Sequence, residues 1–433
     1  MRRKPVCVGF MFFFAVSSAW NALGQVKLSL SENPLPAIRL AELISLALER
    51  NPELRAAQRG IDVMRSKIGP AGALPDPELM VGQMNEGSIV PFTTLGEPDA
   101  GFSEVYVGVN QEIPFPGKLR LKGKVAEMEA KGEEARYKDA RFRMIAQVKE
   151  GYYDLYAIDK SIEIVEKERK LLEQIEKIAS IRYSVGKAGQ QDVLDAQVEV
   201  SRLDERLALL QQRRGATEAL LNTLLYRSPE TPIGPVSAMQ KTPLSYGLAE
   251  LSALAERNFP LLEAQQRLID RDALALDLAK KGKYPDFGFS FVYHNRGSNR
   301  PYWTIGGTAK IPLYFGRKQR HELEGAAAGI AQSRYAYENV RAQAFYNVKN
   351  LYLMAVTADR LLKLYDEGII RQASFSLEAA VQNYEVGKVD FLTLLTSWTR
   401  VLNYELTYHE QLAEYQKALV QLEPLVGIEL AKN

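Results

Sequence analysis

Few side chains in this sequence have the type and spacing of a catalytic or metal-binding site. The chain of 433 residues holds one cysteine, Cys7, and three widely separated histidines, His294, His321 and His409. The His321-Glu322 pair lacks the second histidine of a zinc-protease helix, and no Gly-Lys pair has the spacing of a phosphate-binding loop. The sequence therefore predicts no enzyme, no cofactor and no metal site.

Carboxylates are the remaining candidates for chemistry. Asp192 and Asp195 stand three residues apart, so on a helix they share one face. In the second half of the chain, Asp390 holds a related place after a glycine-lysine pair. Asp192 and Asp390 also suit the N-cap or first turn of a helix, where a carboxylate opposes the helix dipole. Cation attraction and helix capping both stay open, and they are compatible.

The composition excludes several classes of protein. Hydrophobic residues make up 46% of the chain and charged residues 25%, with 55 basic against 53 acidic side chains. Such a chain is neither disordered, nor a disulfide scaffold, nor a strongly basic nucleic-acid binder. It has no run of 18 apolar residues, which excludes a protein with transmembrane helices.

Residues 1–24 have the pattern of a secretory signal peptide. Arg2, Arg3 and Lys4 precede an uncharged apolar run from Val6 to Val16, and Ala22-Leu23-Gly24 offers small residues for cleavage. Cys7 precedes the apolar run instead of following it, so we expect an exported protein without a lipid anchor.

The remaining chain is an internal duplication with a period of about 200 residues. We place the first repeat at 25–227, a proline-containing linker at 228–246, the second repeat at 247–427 and a short tail at 428–433. The matching segments are 46–52 with 254–260, Ile113-Pro114 with Ile311-Pro312, Val148-Lys149 with Val348-Lys349, and Tyr183-Ser184-Val185-Gly186-Lys187 with Tyr384-Glu385-Val386-Gly387-Lys388. Two homologous halves fit this period better than a solenoid does.

Each half is predicted to contain strands followed by very long helices. Apolar residues alternate with small or polar ones at about 77–113 and 285–313, as in Val105, Val107 and Val109. Lys118 to about Tyr183 contains no proline, which at ~1.5 Å per residue allows a helix of roughly 100 Å. Its partly heptad apolar spacing predicts supercoiled helix partners.

The strands have the length and alternation of transmembrane β-strands. Open sheet edges are not tolerated in hydrocarbon, and four strands are too few to close a barrel. Three copies of the chain would supply twelve. Aromatic residues near the strand ends suit membrane-interface girdles, namely Phe102, Phe115, Tyr302, Trp303, Tyr314 and Phe315. The alternative is a soluble sheet packed on a helical bundle, with these aromatics in its core.

Over residues 37–427 the chain resembles the TolC family of outer-membrane efflux channels. The resemblance rests on the duplicated halves and on the segments Ala47–Pro52, Gln111–Lys118, Tyr183–Gly186 and Asp192–Gln197. It implies a homotrimer, with a 12-stranded β-barrel in the outer membrane and a long α-helical barrel in the periplasm. It also implies a passive conduit served by a periplasmic adaptor and an inner-membrane pump. Pro75-Asp76-Pro77 and the 113–118 segment resemble the heavy-metal-efflux branch.

The resemblance also assigns roles to particular residues. Two helix–helix turns would form the periplasmic tip that docks the adaptor, with Val185, Gly186 and Lys187 in one and Val386, Gly387 and Lys388 in the other. A plain turn is the alternative. Asp192 and Asp195, with Asp390, would line the periplasmic aperture as a carboxylate ring that favours cations. The strand–helix junctions are structural, and they contain Pro114, Pro116, Gly117, Pro312 and Gly316.

Three functions compete on these grounds. The leading one is the outer-membrane channel of a tripartite efflux system, with a pump of the RND type and metal cations or drugs as cargo. The second is the outer-membrane channel of type I protein secretion, served by an ABC exporter. The third is a periplasmic coiled-coil adaptor or scaffold without a pore, which would not need alternating apolar strands in two places.

Overall fold

The protein combines very long helices with one small sheet. The computed structural model describes residues 38–85, 103–236, 239–297 and 299–431. The predicted signal peptide and Phe102 lie outside these ranges. The first half contains α1 (Leu40–Arg50), α2 (Pro52–Ser66), α3 (Ile68–Gly72), β1 (Glu78–Asn85), β2 (Ser103–Ile113), α4 (Lys118–Ser184) and α5 (Gln190–Leu224).

The second half repeats this order with two variations: two helices instead of three precede the strands, and a π-helical turn divides the long helix. It contains α6 (Leu248–Asn258), α7 (Pro260–Lys281), β3 (Asp286–Asn295), β4 (Tyr302–Lys310), α8 (Gln319–Leu364), a π-helical turn (Tyr365–Ile369), α9 (Ile370–Glu385) and α10 (Phe391–Val426). The predicted combination of long helices with four strands is confirmed. No helix among the described residues has the length and apolar character needed to cross a membrane.

The four strands form one antiparallel sheet in the order β1-β2-β3-β4. Their register aligns apolar side chains in rows across all four strands on one face of the sheet. Two such rows are Leu79–Val109–Phe291–Ile305 and Val81–Val107–Tyr293–Trp303. These eight side chains are all exposed, so no part of the described chain covers this face. The alternative of a sheet packed on the helices through its apolar face is therefore wrong for a single chain.

The opposite face of the sheet carries a polar cluster. Glu104 is only 2% exposed, and its carboxylate accepts a hydrogen bond from the Tyr302 hydroxyl at 2.7 Å. The other carboxylate oxygen lies 2.8 Å from Nδ1 of His294, whose ring stacks on Tyr302 at 4.4 Å. The Thr304 hydroxyl lies 3.2 Å from Nε2 of the same histidine. Tyr302 was predicted to belong to an aromatic girdle, and that prediction is wrong because its ring lies on this polar face, opposite to Trp303, and stacks on His294.

Helix α4 runs the length of the helical part and contacts helices of both halves. At 67 residues it is about 100 Å long. Near its middle it shares one buried core with α1, α8 and α10, and towards its C-terminal end it shares a second core with α5, α9 and α10. Residues 239–246 of the predicted linker pack on this assembly: Tyr415 donates to the Thr242 carbonyl and Gln416 to the Gln240 carbonyl. The two repeats therefore fold around common cores.

The duplicated Asn-Pro segments have the same structural role in both halves. The Asn51 amide donates to the Leu224 carbonyl at 3.0 Å, and the Asn258 amide donates to the Val426 carbonyl at 3.2 Å. Leu224 and Val426 are the last residues of α5 and α10, whose final carbonyls have no partner within the helix. In each repeat, the asparagine at the end of the first helix thus binds the C-terminus of the last helix.

Other duplicated positions have diverged. Lys149 is 1% exposed, and its ammonium lies 2.9 Å from both Glu423 and Glu429. It also donates to the Ala431 carbonyl at 3.1 Å, so it fixes the end of the described chain against α4. Its counterpart Lys349 is exposed on α8. A buried ammonium needs several partners to offset its desolvation, and only the first-half lysine has them.

The π-helical turn coincides with a one-residue change in the spacing of the repeats. Val148 and Asp159 recur 200 residues later as Val348 and Asp359, whereas Gly186 recurs 201 residues later as Gly387. The buried positions of the two repeats correspond on both sides of the π-helical turn. Before the turn, buried Ala355 matches buried Leu155 at a spacing of 200 residues, and after it, buried Ala380 matches buried Ala179 at a spacing of 201. A π-turn holds one residue more than an α-turn, so Tyr365–Ile369 absorbs the extra residue of the second repeat.

Deleting Gly368 should convert the π-turn into α-helix and leave α8 and α9 in phase with α10. We expect the thermal unfolding temperature, followed by circular dichroism, to change by only a few degrees. The matched control is deletion of Glu166, an exposed residue at the equivalent level of α4. That deletion rotates Leu172 by about 100° out of its core, and exposing such residues costs ~2–5 kcal/mol each. Equal destabilisation by both deletions would contradict the assignment.

Candidate functional site at the helix tips

The two helix–helix turns at the far end of α4 and α9 have the same backbone geometry. Gly186 has φ +71° and Gly387 has φ +77°, a left-handed conformation that favours glycine. The Lys187 N–H donates to the Arg182 carbonyl at 2.8 Å, and the Lys388 N–H donates to the Asn383 carbonyl at 2.8 Å. This pattern ends an α-helix sharply, so each turn reverses the chain within a few residues.

The two turns lie against each other through Arg182 of α4. Its guanidinium carbon sits 4.6 Å from the ring centre of Tyr384 on α9, in a cation–π contact. Its Nη2 donates to the Lys187 carbonyl at 3.0 Å and lies within 3.2 Å of where a side chain at Gly387 would begin. A residue larger than glycine at 387 would therefore meet both backbone strain and this guanidinium.

Tyr384 is the central side chain of the tip. It is 2% exposed, its ring meets Phe391 of α10 edge-on at 5.7 Å, and its hydroxyl donates to Asp192 of α5 at 2.9 Å. Burial, and then the hydrogen bond to the Asp192 carboxylate, raise the pKa of Tyr384 above its usual value of 10. The phenol therefore stays protonated and continues to donate at physiological pH. One tyrosine thus joins the hairpin of the first repeat to that of the second.

The three predicted aperture carboxylates have different environments. Asp192 is the third residue of α5, whose N-cap is Gly189, and Asp192 accepts from Tyr384 and makes no cap hydrogen bond. Asp195 is exposed on the same helix. Asp390 is the N-cap of α10 and accepts from the Thr393 N–H at 2.9 Å, and Thr393 lowers the pKa of that carboxyl. The N-cap alternative thus describes Asp390, and the first-turn alternative describes Asp192. The lining of an aperture by these carboxylates stays a prediction.

Apolar side chains surround the turns and are open to solvent. They belong to both hairpins and include two of the predicted docking residues, and the set is Ile181, Tyr183, Val185, Leu194, Val198, Val386 and Leu392. Lys187 and Lys388 stand beside them at the turns themselves. An exposed apolar surface with charges at its edge is typical of a protein–protein contact.

The strand–helix junction of the first repeat is held by contacts with the second. Gly117, at φ +89°, is the N-cap of α4. The Lys118 ammonium lies 2.7 Å from Asp286, and the same carboxylate accepts from the Phe115 N–H at 2.7 Å. Phe115 stacks on Tyr284 at 4.4 Å, so this aromatic residue packs within the chain. Pro114 and Pro116 flank Phe115, and Pro312 and Gly316 occupy the turn that leads into α8.

Sequence reasoning missed Arg182 and Tyr384, which hold the predicted tip residues in place. Both precede the Val-Gly-Lys turns, and the tyrosine is present in both copies of the duplicated motif, as Tyr183 and Tyr384. The duplicated tyrosine was therefore visible in the sequence. The sequence did not show that Tyr384 is buried whereas Tyr183 is exposed. Within the described ranges, no group of three or more His, Cys, Asp or Glu side chains could hold a metal ion.

Comparison with known proteins identifies relatives over both halves. A family model described as "Outer membrane efflux protein" matches residues 43–225 and 251–428. The cobalt-zinc-cadmium resistance protein CzcC of Cupriavidus metallidurans is 22% identical over 422 residues, which cover 96% of each chain. The outer membrane protein TolC of Vibrio cholerae is 22% identical over 416 residues, covering 90% of this chain and 91% of TolC.

A solved structure of CusC has the same fold. The two chains align with a TM-score of 0.79 at 16% sequence identity, over 90% of this chain and 92% of the other. At this identity the likeness concerns the fold alone.

Replacing Tyr384 with phenylalanine should loosen the contact between the two hairpins. A hydrogen bond to a charged group contributes about 1.5 kcal/mol, so we expect amide hydrogen exchange at 185–189 and 386–390 to become roughly tenfold faster. Tyr183→Phe is the control, because Tyr183 is the duplicated tyrosine and its side chain is exposed. Equal effects of the two substitutions would show that the Tyr384–Asp192 bond does not hold the tip.

Proposed function

Because this chain belongs to the outer membrane efflux protein family, whose model matches both of its halves, we propose a specific assembly and cargo for the channel. As an outer-membrane efflux channel, it acts as a homotrimer that carries substrates from the periplasm to the exterior. The observation that carries this proposal is the uncovered apolar face of the four-stranded sheet. The long helices continue from the same end of that sheet.

The edges of the sheet support the trimer. Strands β1 and β4 are the outer members of the described sheet. In hydrocarbon each unpaired backbone group costs several kcal/mol, so an open sheet with a lipid-facing side needs partners for both edges. Pairing β4 of one copy with β1 of the next satisfies both, and three copies give a closed barrel of twelve strands. The polar cluster around Glu104 then faces the interior of that barrel.

We propose that the channel is a passive conduit and has no enzymatic activity. Energy and cargo selection come from an inner-membrane pump, and a periplasmic adaptor connects that pump to the tips. The exposed apolar side chains and lysines around Gly186 and Gly387 are the docking surface for the adaptor. Residues 1–24 direct export and are removed.

Divalent metal cations are the proposed cargo. The relative CzcC is described as a cobalt-zinc-cadmium resistance protein, and the match covers nearly the full length of both chains. Asp192 and Asp195 of three copies place six carboxylates around the tip, which lowers the electrostatic energy of a passing cation. This agrees with a pump of the RND type for metal ions and disfavours a protein-secretion channel.

The channel is tested with purified protein in planar lipid bilayers, after native mass spectrometry has established the number of copies. We expect a trimer that conducts ions. A monomer without conductance would overturn the proposal.

The carboxylate ring is tested with Asp192→Asn together with Asp195→Asn. We expect the preference for K⁺ over Cl⁻, measured from reversal potentials, to fall severalfold because six negative charges are removed at the narrow end. The control is Glu205→Gln, which neutralises an exposed carboxylate on the same helix about two to four turns farther from the tip. An unchanged ion preference in the double variant would leave these aspartates a purely structural role.

A further inference from the structure

The junction between β4 and α8 presents an unusual exposed surface, here called the β4–α8 ledge and defined by Ile311, Leu313, Tyr314, Arg317 and Lys318. Leu313 is 79% exposed and Tyr314 is 75% exposed, and Ile311 is exposed as well. Arg317 and Lys318 are also exposed. Large apolar side chains and two cations therefore stand side by side in solvent.

The ledge has a fixed backbone. The N–H groups of Arg317 and Lys318 both donate to the Tyr314 carbonyl at 3.0 Å, and the Arg320 N–H donates to the Phe315 carbonyl at 3.0 Å. This tight turn directs the chain from the strand into α8. The spacing between the apolar and the basic part of the ledge is consequently set by hydrogen bonds.

The equivalent junction of the first repeat has no such surface. There the aromatic residue, Phe115, stacks on Tyr284, and the lysine, Lys118, is bound to Asp286 with its side chain only 12% exposed. At the junction of the first repeat, both the aromatic and the basic side chain therefore have partners within the chain. In the second repeat the corresponding side chains are exposed, so they are available to a partner from outside the chain.

The apolar part of the ledge continues the apolar face of the sheet. Trp303 and Ile305 point out of that face, and Ile311 and Leu313 are exposed just past the last strand residue, Lys310, at a turn in which the Leu313 N–H donates to the Ile311 carbonyl at 2.9 Å. The medium that contacts the apolar face of the sheet therefore also borders the ledge, which begins one residue after β4. On the proposed function that medium is lipid, and the ledge lies at its boundary on the helical side.

The charge of the ledge identifies which part of the lipid it meets. Among the described residues, no acidic side chain lies within ion-pair distance of Arg317 or Lys318, whereas Arg320 is already bonded to Glu324 at 2.9 Å. Lys283, exposed above the Tyr284 ring at 5.1 Å, belongs to the neighbouring end of α7. A carboxylate oxygen of Glu322 lies beside Gly282, 3.9 Å from where a side chain there would begin. The balance is positive, which complements a phosphate.

We propose that the β4–α8 ledge binds the headgroup of an anionic phospholipid in the leaflet that faces the helices. Ile311 and Leu313 contact the acyl chains, Tyr314 lies at the level of the glycerol, and Arg317 and Lys318 hold the phosphate. Juxtamembrane cations next to interfacial aromatics have this arrangement in membrane proteins generally. The inference rests on the proposed membrane-spanning sheet.

The test uses the full-length protein reconstituted in phosphatidylcholine with spin-labelled phosphatidylglycerol or spin-labelled phosphatidylcholine as probes. Electron spin resonance gives the association of each probe with the protein. We expect the wild type to prefer phosphatidylglycerol over phosphatidylcholine. In the double variant Arg317→Gln with Lys318→Gln, we expect this preference to fall about fivefold for each charge removed. The control, Lys170→Gln with Lys177→Gln, makes the same charge change at exposed positions towards the tip of α4 and should keep the preference.

Two further measurements separate the possible failures. Arg317→Lys keeps the charge and should keep the preference, so a loss in this variant would overturn the proposal. Equal preference in the wild type and the double variant would also overturn it. If the double variant instead dissociates into monomers in native mass spectrometry, the ledge is a contact between copies of the chain. Bilayer conductance of the wild type reports the proposed function independently, whatever the lipid result.

Discussion

The unpaired outer edges of β1 and β4, on a sheet whose apolar face is bare, are the constraint on which the rest of the structure depends. Backbone N–H and C=O groups in an apolar medium need partners, and a four-stranded sheet leaves two rows of them open. No helix in the described part of the chain covers that sheet, because the long helices continue away from its end. In the proposed trimer a single chain is a segment of a larger wall, and its long helices have lateral neighbours in the next copy.

The duplication explains how such a segment is built from one chain, and the two repeats have diverged at particular positions. Both repeats keep the asparagine that fastens their last helix, through Asn51 and Asn258. They differ at the tips and junctions. One tyrosine of the duplicated pair is buried and joins the two hairpins, while its twin is exposed. The repeats agree in this asparagine contact and in the backbone of the tip turns, and they differ at Lys149 and at the strand–helix junctions.

Much of this fold follows from local patterns in the sequence, and the contacts within the site do not. Alternation at Val105, Val107 and Val109 predicts a strand with one apolar face because the side-chain period of a strand is two residues. The proline-free stretch after Lys118 likewise predicts the long helix. The Arg182–Tyr384–Asp192 cluster joins α9 to the consecutive helices α4 and α5, with Tyr384 192 residues from Asp192, so no local period reveals it. Tyr302 was misassigned for the same reason, since its partner Glu104 is 198 residues away.

The π-helical turn gives the two long helical columns different mechanical properties. It lies between Leu362, in the middle core, and Ala373, at the start of the tip core, so it interrupts the regular hydrogen bonding where the two cores meet. Helices bend most readily at such turns. Helix α4 has no corresponding interruption. A load applied at the tip would therefore be transmitted stiffly along the first repeat and would be taken up as a tilt in the second, at the level of this turn.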